Sequence, residues 1–218
     1  MILCIDPSSN PAQNLAREDE IFEEVEKGTL PEVVRLWTDG ECLVKGRVRN
    51  ARYGWYDERL AEKMGIHVFE RSTGGGVVYH DLGNLNWSFF LKTSGAFMSP
   101  KAAFGLAAQN VVGALRRLGV SANFAPPNRI EVQGRKVSGM AARATVCTLL
   151  VHGTLLLRSD LDKLNALCSP ASGSPPVANL SEWVPEIDAE RIAAMLADEL
   201  RSTGRFVESA EQLGEPSE

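Results

Sequence analysis

Histidine and cysteine are scarce in this chain: three and four among 218 residues. The cysteines (Cys4, Cys42, Cys147, Cys168) stand far apart with no C-x-x-C spacing. That argues against a disulfide framework or a zinc site and makes a reducing compartment the default. Three histidines also leave little material for a catalytic metal site. Basic residues are not in excess, with 23 Lys plus Arg against 28 Asp plus Glu and a net charge of −5, so no general binding to nucleic acid or an anionic membrane is expected. No stretch reaches the ~18 apolar residues that span a bilayer. The opening run Met1–Ile5 ends at Asp6-Pro7 without a basic leader, which is unlike a signal peptide. Internal repeats and long low-complexity segments are missing too. The sequence reads as a soluble, cytoplasmic protein.

What remains is ordinary globular material, 44% hydrophobic and 23% charged. A chain of this length can bury a core without staples, so one catalytic-sized domain is expected over 1–207, with a polar, disordered tail over 208–218. Residues 2–5 read as a strand and 12–27 as a helix with Leu15, Ile21, Phe22 and Val25 inward. Strands are expected near 32–37 and 41–45, a short helix over Asp57–Met64, and a strand at Ile66–Phe69. The segment 77–92 reads as a hairpin turning at His80–Gly83. A helix capped by Ser99 carries Phe104, Ala107, Val111, Leu115 and Leu118 on one face and stops at Gly119. Strands follow at 129–133, 135–142 and 147–157. Ser169–Pro176 is a loop, and a last helix starts at Asp188 with Ile192, Met195, Leu196 and Leu200 inward. Short turns between strands argue for an α+β fold, a mixed and largely antiparallel sheet flanked by helices.

Three segments carry chemistry. In Arg71-Ser72-Thr73-Gly74-Gly75-Gly76-Val77-Val78-Tyr79-His80-Asp81-Leu82-Gly83-Asn84, successive glycines let a ligand approach backbone amides closely, which suits an anion beside Arg71. Glycines alone fit a hairpin entry equally well. No Lys-Ser or Lys-Thr follows them, so this is not a Walker A loop. His80 and Asp81 point to opposite faces of a strand and do not chelate one ion; His80 suits a pocket wall and Asp81 a turn. The second segment runs Asn128-Arg129-Ile130-Glu131-Val132-Gln133-Gly134-Arg135-Lys136-Val137-Ser138-Gly139. Gln133-Gly134 reads as a hairpin turn, and alternation puts Lys136 and Ser138 on one face, where Lys136 is either held at a ligand or simply solvated. The third, His152-Gly153-Thr154-Leu155-Leu156-Leu157, is a strand with one glycine where something can approach. Basic clusters at Arg47, Arg49 and Arg52, and at Arg129, Arg135 and Lys136, could hold an anion locally.

Together the three segments resemble the lipoate–protein ligase family of the wider biotin and lipoate ligase group. Its pattern is Arg-x-x-Gly-Gly-Gly-x-Val-x-His-Asp-x-Gly-Asn, then Asn-Asp-Ile with Lys-x-Ser-Gly, then His-Gly-Thr-Leu-Leu. The likeness extends to Asn14-Leu15-Ala16 with Glu18, Leu36-Trp37, Gly46-Arg47 with Asn50, and Asn179-Leu180. It implies a fold like the biotin ligase catalytic core, with ATP and lipoic acid as substrates and Mg²⁺ as their companion. The carboxylate of lipoate attacks the α-phosphate to give lipoyl-adenylate, and a carrier-domain lysine then takes the acyl group. The carrier would be a 2-oxoacid dehydrogenase E2 or a glycine-cleavage H-like protein. The resemblance makes Lys136 the catalytic cation. It makes Arg71, Gly74, Gly75, Gly76, Val77, His80, Asn84, Asn128, Ser138, Gly139, His152, Gly153, Thr154 and Arg47 the residues that bind substrate and nucleotide, with Asn128 contacting phosphate or metal.

Three departures stand out. Glu70 occupies the place of a second arginine, Arg129 replaces the usual Asp metal contact, and the chain stops where some members continue into an accessory domain, which a separate chain would then supply. Arg129 either bonds phosphate directly or pairs with Glu131 on its own strand. The nearest rival reading is a cofactor-free octanoyl or lipoyl transferase working through a cysteine thioester. Asn123-Phe124 stands where such enzymes place their cysteine, leaving Cys147 as the nearest candidate. A biotin ligase fits the motifs less well, and a non-catalytic lipoyl- or adenylate-binding module is the reading from another class.

Overall fold

The computed structural model describes residues 1–47, 55–93, 100–169, 173–205 and 207–210. Asn50, Arg49, Arg52 and the helix cap Ser99 lie outside the described residues. In chain order the elements are β1 (Ile2–Ile5), α1 (Pro11–Lys27), β2 (Val33–Thr38), β3 (Cys42–Lys45), β4 (Trp55–Tyr56), α2 (Glu58–Lys63), β5 (Val68–Glu70), β6 (Val77–His80) and β7 (Asn84–Lys92). The second half holds α3 (Pro100–Arg117), β8 (Ala122–Ala125), β9 (Arg129–Val132), β10 (Arg135–Ala144), β11 (Thr148–Leu156), α4 (Leu161–Leu167), β12 (Cys168–Ser169), α5 (Ala189–Ser202) and β13 (Glu208–Ala210).

Eight strands form one sheet in the order β13-β1-β2-β7-β11-β10-β9-β8. Its first three strands run parallel and each remaining pair is antiparallel, as the short turns predict. A small sheet, β5-β3-β6, stands apart, and β12 pairs with β4. One face of the large sheet packs under α3 and α5 through Leu36, Trp87, Val111, Leu115, Leu196 and Leu200. The other face packs under α1 through Ile21, Phe22 and Val25 against Phe90 and Leu150. Because β7 is covered on both faces, eight of its nine residues are buried, including the polar Asn84, Asn86 and Ser88 that face the cavity side.

Local chemistry sets the helix ends. Asn10 Oδ1 accepts the amides of Ala12 and Gln13 at 3.0 and 3.2 Å, and α1 stops at Gly28, whose φ is +80°, the left-handed cap glycine favours. Gln133 and Gly134 turn with φ of 51° and 74°, the primed geometry that suits a two-residue hairpin between β9 and β10.

Two expectations need correction. Residues 77–92 are not a hairpin: β6 belongs to the small sheet and β7 to the large one. The carbonyl of Gly83 accepts the amides of Leu157 and Arg158, both at 2.9 Å, and this seats the turn on the end of β11 and sends β7 into the large sheet. β2 joins the large sheet and β3 the small one. At the end of the chain, Glu208–Ala210 is a strand beside β1 and not a frayed tail, since the parallel edge of β1 offers free backbone groups. Residues 211–218 lie outside the described residues. The sequence reading also missed β8 and α4.

Candidate active site

Between the α1 face of the large sheet and the small sheet lies a cavity of about 360 Å³, within the ~300–1,000 Å³ typical of small-molecule sites. Pairing across the large sheet lays out its floor. Gly139 on β10 donates its amide to Thr154 Oγ1 on β11 at 3.3 Å, Thr154 pairs with Asn86 on β7, and Asn86 pairs with Trp37 on β2. Paired residues share a face and neighbouring strands lie ~4.8 Å apart, so this row runs about 14 Å from Gly139 to Trp37. A second row places Ala141, His152, Ser88 and Arg35 side by side.

Lys136 stands at one end. The β9–β10 register slips between Lys136 and Ser138, and the segment 176–178 adds alongside: the amide of Lys136 donates to Pro176 O at 2.8 Å and that of Ala178 to Lys136 O at 3.0 Å. With its backbone fixed on both sides, the lysine stem folds over Gly139, where a Cβ would lie 2.9 Å from Nζ. A side chain at 139 would displace the lysine tip from that position. Among the described residues Nζ has no hydrogen-bond or ion-pair partner. Burial holds its pKa below the ordinary lysine value, opposed by Cys168 and aided by Arg129.

Above the floor the Gly-rich loop is clamped from within. Arg71 Nη2 donates to the carbonyls of Gly74 (2.8 Å) and Gly76 (2.9 Å), Nη1 to Val44 O (3.0 Å) and Nε to Thr73 Oγ1 (3.0 Å). The amides of Gly46 and Arg47 bond the carbonyls of Gly76 and Thr73, both at 3.1 Å. A Cβ on Gly46 would lie 2.4 Å from Gly75 O, so residue 46 must be glycine for the loop to dock. With the carbonyls drawn toward Arg71, the amides of Gly74, Gly75 and Gly76 find no acceptor among the described residues. A run of such amides is a ready anion cradle.

Toward the other end a chain of polar side chains is satisfied internally, although Asn86 Nδ2 and Asn84 Oδ1 have no partner among the described residues. His152 Nδ1 lies 2.8 Å from Glu18 Oε2, and its Nε2 lies 2.7 Å from Thr73 Oγ1. With Nδ1–H given to the carboxylate, Nε2 accepts the Thr73 hydroxyl, which in turn accepts from Arg71 Nε. Ser88 donates to Glu18 at 2.6 Å and Trp37 Nε1 to Ser88 at 3.1 Å. Burial alone would raise the Glu18 pKa, but its interactions with His152, Ser88 and Arg35 outweigh it and hold the carboxyl below 4.5. His80 Nδ1 lies 2.8 Å from Asp39 Oδ2. Burial pushes Arg71 down to about 10.

The donor set does not suit a protein-held Mg²⁺. None of the described residues lining the cavity is a carboxylate, whereas Mg²⁺ sites normally use one or two. Asn128 offers a single neutral oxygen, since its Nδ2 is engaged with Met140 O at 2.7 Å.

Residues 10–201 match the family model described as the lipoyl protein ligase A/B catalytic domain. The chain belongs to that family. It is 37% identical over 158 residues to the probable lipoate-protein ligase A of Mycoplasma genitalium, covering 72% of this chain and 46% of that protein. The chain thus spans about half the length of the curated relatives it matches. A crystal structure of lipoate-protein ligase A bound with ATP superposes with a TM-score of 0.83 at 26% identity, covering 97% of this chain and 87% of that one. The fold also matches the bi-partite lipoate protein ligase of Thermoplasma acidophilum, described with its E2 lipoyl domain, at a TM-score of 0.80 and 23% identity over 96% of this chain and 85% of that one. The fold read from the sequence is therefore that of the lipoyl protein ligase catalytic core.

Set against that family's motif, most of the expected residues meet at the cavity: Arg71, Gly75, Gly76, Val77, His80, Asn128, Lys136, Ser138, Gly139, His152, Gly153 and Thr154 all line it. Gly74, Asn84 and Arg47 do not. Gly74 presents its carbonyl to Arg71, wholly buried Asn84 supports Asn86 through Nδ2–Oδ1 at 3.0 Å, and the Arg47 side chain is exposed. Arg71 spends four of its five N–H donors on the protein itself, so it shapes the cradle rather than grasping a ligand. Arg129 is not on the cavity wall; its Nε meets Glu131 Oε1 at 2.5 Å, the second of the two alternatives. Glu70 pairs with Lys45 at 3.4 Å. Asp81 is the expected turn former, accepting the Gly83 amide at 2.9 Å. Cys147 is exposed beyond the β10 end, and the cysteine in the cavity is Cys168. Thr73, Asn86, Asn165 and Cys168 were missed; for Asn86 the Asn84-x-Asn86 alternation was a usable signal, and for the others there was none.

Proposed function

We propose that the chain is the catalytic part of an ATP-dependent lipoate–protein ligase, making lipoyl-adenylate and passing the lipoyl group to a carrier-domain lysine. The observation that carries the reading is the unpartnered Lys136 Nζ over Gly139, at the end of a floor long enough for a medium-chain acid. The loop of acceptor-free amides faces the same strand, with Gly75 against Ala141. The carboxylate of lipoate lies at Lys136, and its chain runs along the row Thr154, Asn86, Trp37. One carboxylate oxygen attacks the α-phosphorus and pyrophosphate leaves. The ammonium of Lys136 offsets the charge gathering between the two anions, and the Gly74–Gly76 amides hold phosphoryl oxygens in place. The amine of the carrier lysine then attacks the acyl carbon and AMP leaves, with Lys136 again beside the departing phosphate. Residues hold and orient throughout, and no covalent enzyme intermediate is formed. We read the carrier as a lipoyl-domain protein.

A cysteine-based transferase is the weaker reading. Burial pushes the Cys168 thiol up to about 12 despite nearby Lys136, so it stays protonated, and a nucleophilic cysteine needs the opposite shift. The test is to incubate the purified chain with ATP and lipoate and measure pyrophosphate and lipoyl-AMP. Acyl transfer from a thioester donor without ATP, lost in Cys168→Ser, would overturn the ligase assignment.

A further inference from the structure

Asp39, Cys42 and His80 form a second buried cluster that the ligase reading does not use. Their origin is topological. Cys42 opens β3 and His80 closes β6, and the two are registered partners across the small sheet, so their side chains share a face with Cβ atoms ~5 Å apart. Asp39, in the turn before β3, reaches back to the same point. One ligand atom from each residue lies within 4.8 Å of the other two. The three residues are 0%, 1% and 3% exposed, so solvent does little to stabilise a charge here.

Asp39 is wholly buried, and among the described residues its side chain accepts only from the Asn14 amide at 2.9 Å and meets the His80 ring at 2.8 Å. The buried guanidinium of Arg35 is committed to Asp6 and Asn14. Cys42 Sγ has no hydrogen-bond partner among the described residues. A fully buried carboxylate held by so few hydrogen bonds is costly. A divalent cation would balance one carboxylate and one thiolate, with neutral imidazole as the third ligand.

We propose that Asp39, Cys42 and His80 form a site for a zinc-type divalent ion. One sulfur, one nitrogen and one oxygen donor suit zinc or cobalt and disfavour the hard ions magnesium and calcium. His80 also lines the cavity, so the remaining coordination position adjoins the ligand space, the pattern of three protein ligands with one open position. Binding displaces the thiol proton of Cys42, one proton per ion, while the His80 ring keeps its single proton on the nitrogen away from the metal, so affinity rises with pH. The ligands come from three separate segments, and no sequence spacing announces them. The proposal stands independently of the ligase reading.

The test uses the full chain stripped with a chelator and titrated with Co²⁺. One equivalent should bind with a thiolate-to-cobalt charge-transfer band. Cys42→Ser should abolish the band and weaken competing Zn²⁺ at least tenfold, while Cys168→Ser keeps both. Absence of the band, its survival in Cys42→Ser, or its loss in Cys168→Ser overturns the site. Should Cys42→Ser fail to fold, X-ray absorption of the zinc-loaded wild type decides: one sulfur neighbour at ~2.3 Å is required, and none or more than one refutes the assignment.

Discussion

The Lys136 end of the cavity and its His152 end are built from the same kinds of residue, and they differ in what is left over. At the His152 end, Trp37, Ser88, Glu18, His152, Thr73 and Arg71 hand hydrogen bonds along an unbroken chain. At the Lys136 end an ammonium and a run of glycine amides lack acceptors among the described residues, and buried Ser138 Oγ has no partner among them either. A satisfied network fixes shape and an unsatisfied one waits for a ligand. The two ends should therefore fail in opposite ways when altered, one in stability and the other in rate.

The largest effect is expected at the open end. Lys136→Ala should slow pyrophosphate release a few hundredfold or more, ~3–4 kcal/mol, as for loss of one preorganised donor, with the melting temperature unchanged or raised. Its pKa is lowered in the fold, so in the window between the folded pKa and 10.5 the unfolded chain binds the extra proton and stability rises with pH. Lys136→Ala should remove that rise. A variant that keeps half of wild-type turnover would break the comparison at once.

Arg71→Ala tests the closed end. Removing the fork strands the carbonyls of Val44, Gly74 and Gly76, and about 3 kcal/mol of stability should go with them, read from denaturant midpoints. The Michaelis constant for ATP should rise as the cradle loosens. If activity collapses with no change in midpoint, Arg71 grips the nucleotide directly and the division between the ends is wrong.

Glu18→Gln comes next, at about 2 kcal/mol near neutrality, the worth of a hydrogen bond to a charged group. Glu18 is held below 4.5 in the fold. Its contribution is fully present above 4.5 and is lost as pH falls through the folded value. Melting temperatures followed into acid should converge for wild type and variant. Curves that stay parallel would mean the Glu18–His152 pair has no electrostatic share in stability.

The chemistry-bearing end was the more legible one in the sequence, for a physical reason. Backbone approach needs glycine and a held cation needs lysine on a fixed strand, so Gly74–Gly76 and Lys136-Val137-Ser138-Gly139 are written locally. The closed end depends on pairing register: Thr73 reaches His152 only because β6 and β11 belong to different sheets that face each other. The 77–92 segment shows the limit. Its alternation marked strands correctly and said nothing about which sheet each would join. Asp39, Cys42 and Cys168 were invisible for the same reason, since each acquires its neighbours from a distant segment.

The smallest effect should come from Arg129→Asp, and it separates composition from geometry. By sequence this change restores the carboxylate that relatives place there, and a carboxylate could hold Mg²⁺ against ATP phosphates. By structure Arg129 faces Glu131 at 2.5 Å with about a third of its side chain exposed, off the cavity wall. The pair is part-exposed, so its loss should cost under ~1 kcal/mol. Lipoyl-adenylate formation against free Mg²⁺ should follow the same curve in both proteins, with equal ATP affinity. One change is expected: Arg129 helps depress Lys136, so an aspartate there should raise the Lys136 pKa and extend activity to higher pH. A variant that needs more Mg²⁺ and binds ATP more weakly would put Arg129 on the phosphates and move it to the open end of the cavity.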